Sequence, residues 1–184
     1  MTPAPRSPAP VPSAPSAYAQ ALSSARRMRS AEFASAFPHA ALLVQPSHGG
    51  PCGDSFDTCK AAQPPSGLAS LGATPTPSLR WIRKSANAET FLTMVTIGRG
   101  ATNDIALDAP GVSKFHAFFL SDSTGRITIV DAGSSYGTRV GQVSLRPRTQ
   151  KLALEGGEQL LLGDVQAVFH TPRSLHAALQ GVDR

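Results

Sequence analysis

Beyond residue 78 the chain is cut into short apolar runs that recur about every ten residues, and this spacing limits the available folds more than any other feature. Residues 79–83 alternate apolar and charged side chains, as a strand with one wet face does. Residues 91–97, FLTMVTI, form the strongest strand signal and end at Gly98. Further runs follow at 104–107, 116–120, 126–130, 138–143, 150–154, 159–162 and 165–170. Turn residues part them, including Pro110-Gly111, the stretch 122–125 and Gly156-Gly157. Roughly nine strands at this pitch predict an all-β sandwich over residues 79–172. Residues 173–184 are expected to add a short C-terminal helix and tail, with Ser174 as its N-cap.

The first 78 residues have a different texture. Residues 1–16 are almost wholly Pro, Ala and Ser, a composition that buries too little to fold, so a disordered leader is expected. Residues 17–36 favour helix with a weak apolar stripe, and Pro38 stops it. The run at 39–44, HAALLV, reads as a short strand or buried extended piece, so that residues 17–44 form a helix and a possible strand. Residues 45–78 are rich in Pro, Gly, Ser and Thr and read as a linker. No stretch of 18 apolar residues is present, which excludes a membrane-spanning helix, and the first residues lack the apolar core of a secretory signal. A cytoplasmic location is the expectation.

Charge and cysteine content narrow the function classes. The net charge is +5, but residues 91–184 carry nine Lys/Arg against eight Asp/Glu, so the expected sandwich is nearly neutral. That argues against a broad nucleic-acid-binding face. The excess lies upstream, chiefly at Arg26, Arg27 and Arg29, and reads as a solvated helix face. Cys52 and Cys59, with His48 nearby, lack the tight pairing and fourth ligand of a zinc site, and a stable disulfide is disfavoured in a reducing compartment. Free thiols are expected, with no metal and no cofactor.

Three polar clusters sit where strands should end: Gly98-Arg99, residues 113–116 (SKFH) and residues 134–138 (SSYGT). Their residue types suit a phosphate. Arg99 offers a planar, permanently charged fork for two oxygens, Lys114 a second cation, and Ser113 and Ser135 hydroxyl donors. At about 1.5–3 kcal/mol per charge-assisted bond, a few such contacts reach roughly micromolar affinity. Catalytic alternatives fit less well. Ser113, His116 and Asp131 suggest a hydrolase triad, but Ser113 lacks a G-x-S-x-G turn and an oxyanion element. The Gly-rich stretch after Ile97 is followed by a β run where a nucleotide-binding loop needs a helix. A non-enzymatic role follows, with His116 holding the Ser113 loop.

The order G-R, S-x-x-H and D-x-G-S-x-x-G-T resembles the forkhead-associated (FHA) domain, over roughly residues 80–172. The resemblance implies a β-sandwich of about eleven strands whose apical loops bind phosphothreonine peptides. It implies that Arg99 and Ser113 contact the phosphate with help from Lys114 and Ser135. His116 would brace the loop, and Gly137 and Thr138 would shape the last turn. The implied partners are phosphothreonine-containing proteins, such as substrates of Ser/Thr kinases. Two positions depart from the family pattern: Tyr136 stands where Asn is usual, and Gly141-Gln142 replaces an N-G pair. Tyr136 can still donate a hydrogen bond and pack against a peptide, which predicts retained binding with shifted selectivity. The alternative is an interaction scaffold that works without phosphate.

Overall fold

The computed structural model describes residues 16–45, 77–85 and 94–181. The leader, nearly all of the 45–78 linker with Cys52 and Cys59, and the first three residues of the strand expected at 91–97 lie outside the described residues.

Two helices open the described chain, α1 (Ala17–Arg27) and α2 (Ser30–Ala36). Eleven strands follow: β1 (Ala41–Val44), β2 (Ser78–Trp81), β3 (Met94–Gly98), β4 (Ile105–Ala106), β5 (Ala117–Ser121), β6 (Ile127–Asp131), β7 (Thr138–Val140), β8 (Val143–Ser144), β9 (Lys151–Leu154), β10 (Gln159–Leu162) and β11 (Val165–His170). Helix α3 (Pro172–Gly181) closes it. The strands form a six-stranded sheet, β2-β1-β11-β10-β7-β8, and a five-stranded sheet, β4-β3-β5-β6-β9. This is the all-β sandwich that the spacing of apolar runs implies. Its main core is built from inward residues of both sheets, among them Leu42, Ile97, Phe119, Ile129, Leu160, Leu162 and Phe169, each at most 2% exposed. Burying side chains of this size contributes about 1.5–3 kcal/mol each.

Strand β1 is an interior strand of the six-stranded sheet, second from its edge. Leu42 pairs with Phe169 of β11 on one side and Arg80 of β2 on the other. Its residues then divide between two cores. Leu42 and Val44 face the sandwich, whereas Ala41 and Leu43 face a second cluster formed with Leu79, Trp81, Ala21, Ala25, Phe33, Leu175 and Leu179. Both faces of β1 are covered, which explains why ALLV shows no apolar–polar alternation. The three helices thus form a third layer over one end of the sheet.

Three local expectations are corrected. The single helix over 17–36 is two helices, because Met28 (φ −107°, ψ 150°) and Arg29 (φ −75°, ψ 159°) are extended. The break lets the Met28 carbonyl accept from His176 Nε2 of α3 at 2.9 Å, a tertiary contact that overrides helix propensity. The run at 138–143 is a hairpin, β7–β8, turned at Gly141, which has φ 55°. Ser174 is not the N-cap of α3: Thr171 takes that place, its hydroxyl accepting from the Ser174 N–H at 3.3 Å, and Pro172 opens the helix.

The register also fixes where the polar loops emerge. Ile97, Ala117 and Asp131 lie side by side on β3, β5 and β6. The segments following Gly98, preceding Ala117 and following Asp131 therefore leave the same end of the sandwich.

Candidate functional site

The backbone between β3 and β5 is clamped before any side chain is considered. Arg99 N–H donates to Ser113 O at 2.9 Å, and Gly100 N–H donates to Lys114 O at 3.0 Å. Gly98 is required by this closeness, since a Cβ there would sit 2.5 Å from the Lys114 carbonyl oxygen. Asn103 strengthens the clamp, its amide donating to both Gly100 O and Lys114 O at 2.7 Å. Arg99 is exposed, and its Nε donates to Val112 O at 3.3 Å. That bond fixes the base of the guanidinium and leaves its terminal nitrogens without a hydrogen bond among the described residues.

Ser113 is joined to the third loop. Its hydroxyl accepts from Ser135 N–H at 3.0 Å and donates to Ser135 Oγ at 3.4 Å. Arg99, Ser113 and Ser135 thus come from three loops and are linked by a continuous set of hydrogen bonds. Lys114 is exposed beside them. Tyr136 is 74% exposed at the tip of the third loop, and Phe115 is 41% exposed and stacks on Phe118. Both are well placed to meet a ligand lying over the loops.

Beneath this surface lie two buried braces. His116 is fully buried. Its Nδ1 accepts from Ser113 N–H at 3.1 Å, so the proton is on Nε2, which donates to Gly137 O at 3.1 Å. Burial pushes its pKa down and keeps the ring neutral, against the pull of the Gly137 carbonyl and the charges of Asp131 and Asp164. Gly137 (φ 78°) supplies the left-handed turn that aims this carbonyl at the ring. Asp131 is also fully buried. Burial alone would raise its pKa, but bonds from the Ser134 and Thr138 hydroxyls and from the Ser134 and Gly133 N–H groups outweigh it and hold the carboxyl below its usual range. The two hydroxyl bonds are 2.6 Å long.

These partners rule out the triad geometry. His116 contacts the Ser113 backbone and not its hydroxyl, and it makes no bond to Asp131. The arrangement positions loops and does not activate a nucleophile.

Residues 95–163 match the family model of the FHA domain. That span is similar to an FHA domain. The match runs from β3 to the turn after β10, so β1, β2, β11 and the three helices flank the matched span. Among solved structures, the chain is 17% identical to one from an analysis of phosphothreonine-dependent FHA domain interactions, over 72% of this chain and 96% of that one, with a TM-score of 0.46. It is 30% identical to Mycobacterium tuberculosis EmbR in complex with a low-affinity phosphopeptide, over 43% of this chain and 20% of that one, with a TM-score of 0.38. The FHA domain of the CT664 protein from Chlamydia trachomatis is 14% identical over 72% of this chain and 96% of that one, with a TM-score of 0.47. Comparison with curated proteins yields no match.

Several residues outside the three motifs also shape these loops. Asn103 bridges two loops, and only its turn-forming residue type hinted at this. Asp104 accepts from Thr96 N–H, Lys84 Nζ and Ser85 N–H at 2.8, 2.9 and 2.7 Å, tying residues 84–85 to β3. Burial opposes its charge, yet these donors and the Thr96 hydroxyl keep its pKa low. Arg148, at φ 61°, sets its Nε on Ala132 O at 3.1 Å and lies over Gly133. No local sequence signal marks it. Two other features lie away from the FHA loops. A cavity of about 460 Å³ at the far end of β3, lined in part by Met94, Phe119, Gly125 and Phe169, contains none of the site residues. Arg26 and Arg27 are exposed in the last turn of α1, where positive charge suits the helix dipole. Among the described residues no helix is long and apolar enough to cross a membrane.

Proposed function

We propose that this FHA domain recognises phosphothreonine on a protein partner and works as a non-enzymatic, cytoplasmic adaptor in protein-kinase signalling. One observation carries the reading: Arg99, Ser113 and Ser135 meet at one end of the sandwich on three loops that are already hydrogen-bonded to one another. A phosphate dianion entering there would meet the Arg99 fork, the Lys114 ammonium and two hydroxyls whose loops need no reordering. The Ser113 hydroxyl already accepts from the Ser135 N–H at 3.0 Å, but its own proton reaches only Ser135 Oγ at a long 3.4 Å, a contact that a phosphate oxygen would replace with a shorter bond. Gly137 and Thr138 act from below, as His116 does. Titration with phosphothreonine, phosphoserine and unphosphorylated forms of one peptide tests the reading. Phosphothreonine is expected to bind tightest and the unphosphorylated form negligibly; equal affinity for all three would overturn it.

Tyr136 favours a second reading, a scaffold that binds without phosphate. It presents a large exposed ring where the family pattern has Asn. Partner capture that survives phosphatase treatment would support this alternative over the first.

A further inference from the structure

A cleft of about 670 Å³ lies beside the candidate phosphate site, between β2 and β4, the edge strands of the two sheets. Its walls include Arg80, Arg83, Lys84, Asp104, Asn103 and Ala106. The charge balance is lopsided. Asp104 is the one acid on the wall, its side chain is fully buried, and its two oxygens are taken up by Lys84, Thr96 and Ser85. Arg80 and Arg83 are exposed and have no carboxylate partner among the described residues. The cleft is continuous with the loops: Ala106 pairs with Gly98, the residue before Arg99, and Asn103 bonds to the Lys114 carbonyl. Asn103 therefore borders both the cleft and the loop that carries Lys114.

We infer that this cleft takes an acidic flank of the phosphopeptide, with Arg80 and Arg83 reading carboxylates on one side of the phosphorylated residue. The inference rests on the phosphothreonine reading above and names the peptide class. Arginine suits this role because its fork accepts a carboxylate bidentately, and edge strands leave backbone donors free to hold an extended chain.

The test uses the full chain and phosphothreonine peptides of one core sequence. One peptide has neutral flanks, one carries three Asp on the N-terminal side and one carries three Asp on the C-terminal side. One of the two acidic peptides is expected to bind about tenfold tighter than the neutral one at low salt, and the gain is expected to shrink as salt rises. The Arg80→Ala/Arg83→Ala double variant should lose that gain while keeping its affinity for the neutral peptide, with folding checked by thermal melting. Equal binding of all three phosphopeptides, or a gain that persists in a folded double variant or ignores salt, overturns the cleft assignment and leaves the phosphate reading intact. If no phosphopeptide binds better than its unphosphorylated form, both fall.

Discussion

At Arg99 binding and stability are expected to separate. It is exposed and its side chain makes one long hydrogen bond, so Arg99→Ala should leave the melting temperature within about 2 °C of the parent. The same change removes charge-assisted bonds worth roughly 1.5–3 kcal/mol each, so phosphothreonine affinity should fall by at least about tenfold in a calorimetric titration. Thr138 is the converse case. Its buried hydroxyl donates to Asp131 at 2.6 Å, and Thr138→Val leaves that carboxylate short of a donor. A loss of about 1–3 kcal/mol is expected, seen as a fall of several degrees in a thermal melt. His116 adds a pH dependence. Its folded pKa is below its ordinary value, so the unfolded chain binds a proton more readily than the folded one. The contribution of the neutral ring is complete above about pH 6.5 and is lost as pH falls below that. His170 is also pushed down by burial and acts in the same direction. The melting temperature should therefore fall from pH 7.5 to 5.5, and the fall should be smaller in His116→Gln.

At the scale of elements, β1 ties the upstream segment to the sandwich. It lies between β2 and β11, and Leu42 is fully buried between their side chains. Leu42→Ala should cost about 2–5 kcal/mol in a denaturant unfolding experiment. A fragment that starts after Val44 should fail to unfold cooperatively, because the six-stranded sheet would then be split. Most strands beyond residue 78 were legible from alternation and turn residues because one of their faces is covered; β8, exposed at both residues, is the exception. The remaining elements differ from the expectation for separate reasons. The break at Met28 depends on His176, 148 residues away, and the cap of α3 depends on Thr171 and Pro172 at the end of β11. The hairpin at Gly141 was hidden because its arms are only three and two residues long and its turn is the two residues Gly141-Gln142.

For the whole molecule, the motif residues were legible but the network that holds them was not. Arg99, Ser113 and Ser135 announce themselves by residue type at strand ends. Asn103, Asp104 and Arg148 act through contacts to backbone carbonyls and N–H groups of other loops, which no local pattern encodes. The cleft between β2 and β4 is likewise a product of the tertiary fold, since it brings Arg80 and Arg83 beside residues some twenty positions away in the chain. The candidate binding end of the molecule therefore combines a motif read from sequence with basic residues that the fold brings beside it.

Whether the three loops form one phosphothreonine site is tested most directly by a backbone amide NMR titration of the full chain with a phosphothreonine peptide. Amides of residues 98–100, 113–116 and 134–137 are expected to shift together with one dissociation constant, and the unphosphorylated peptide is expected to leave them unmoved. Shifts confined to the cavity around Met94, Phe119 and Phe169, or shifts independent of phosphorylation, would contradict it.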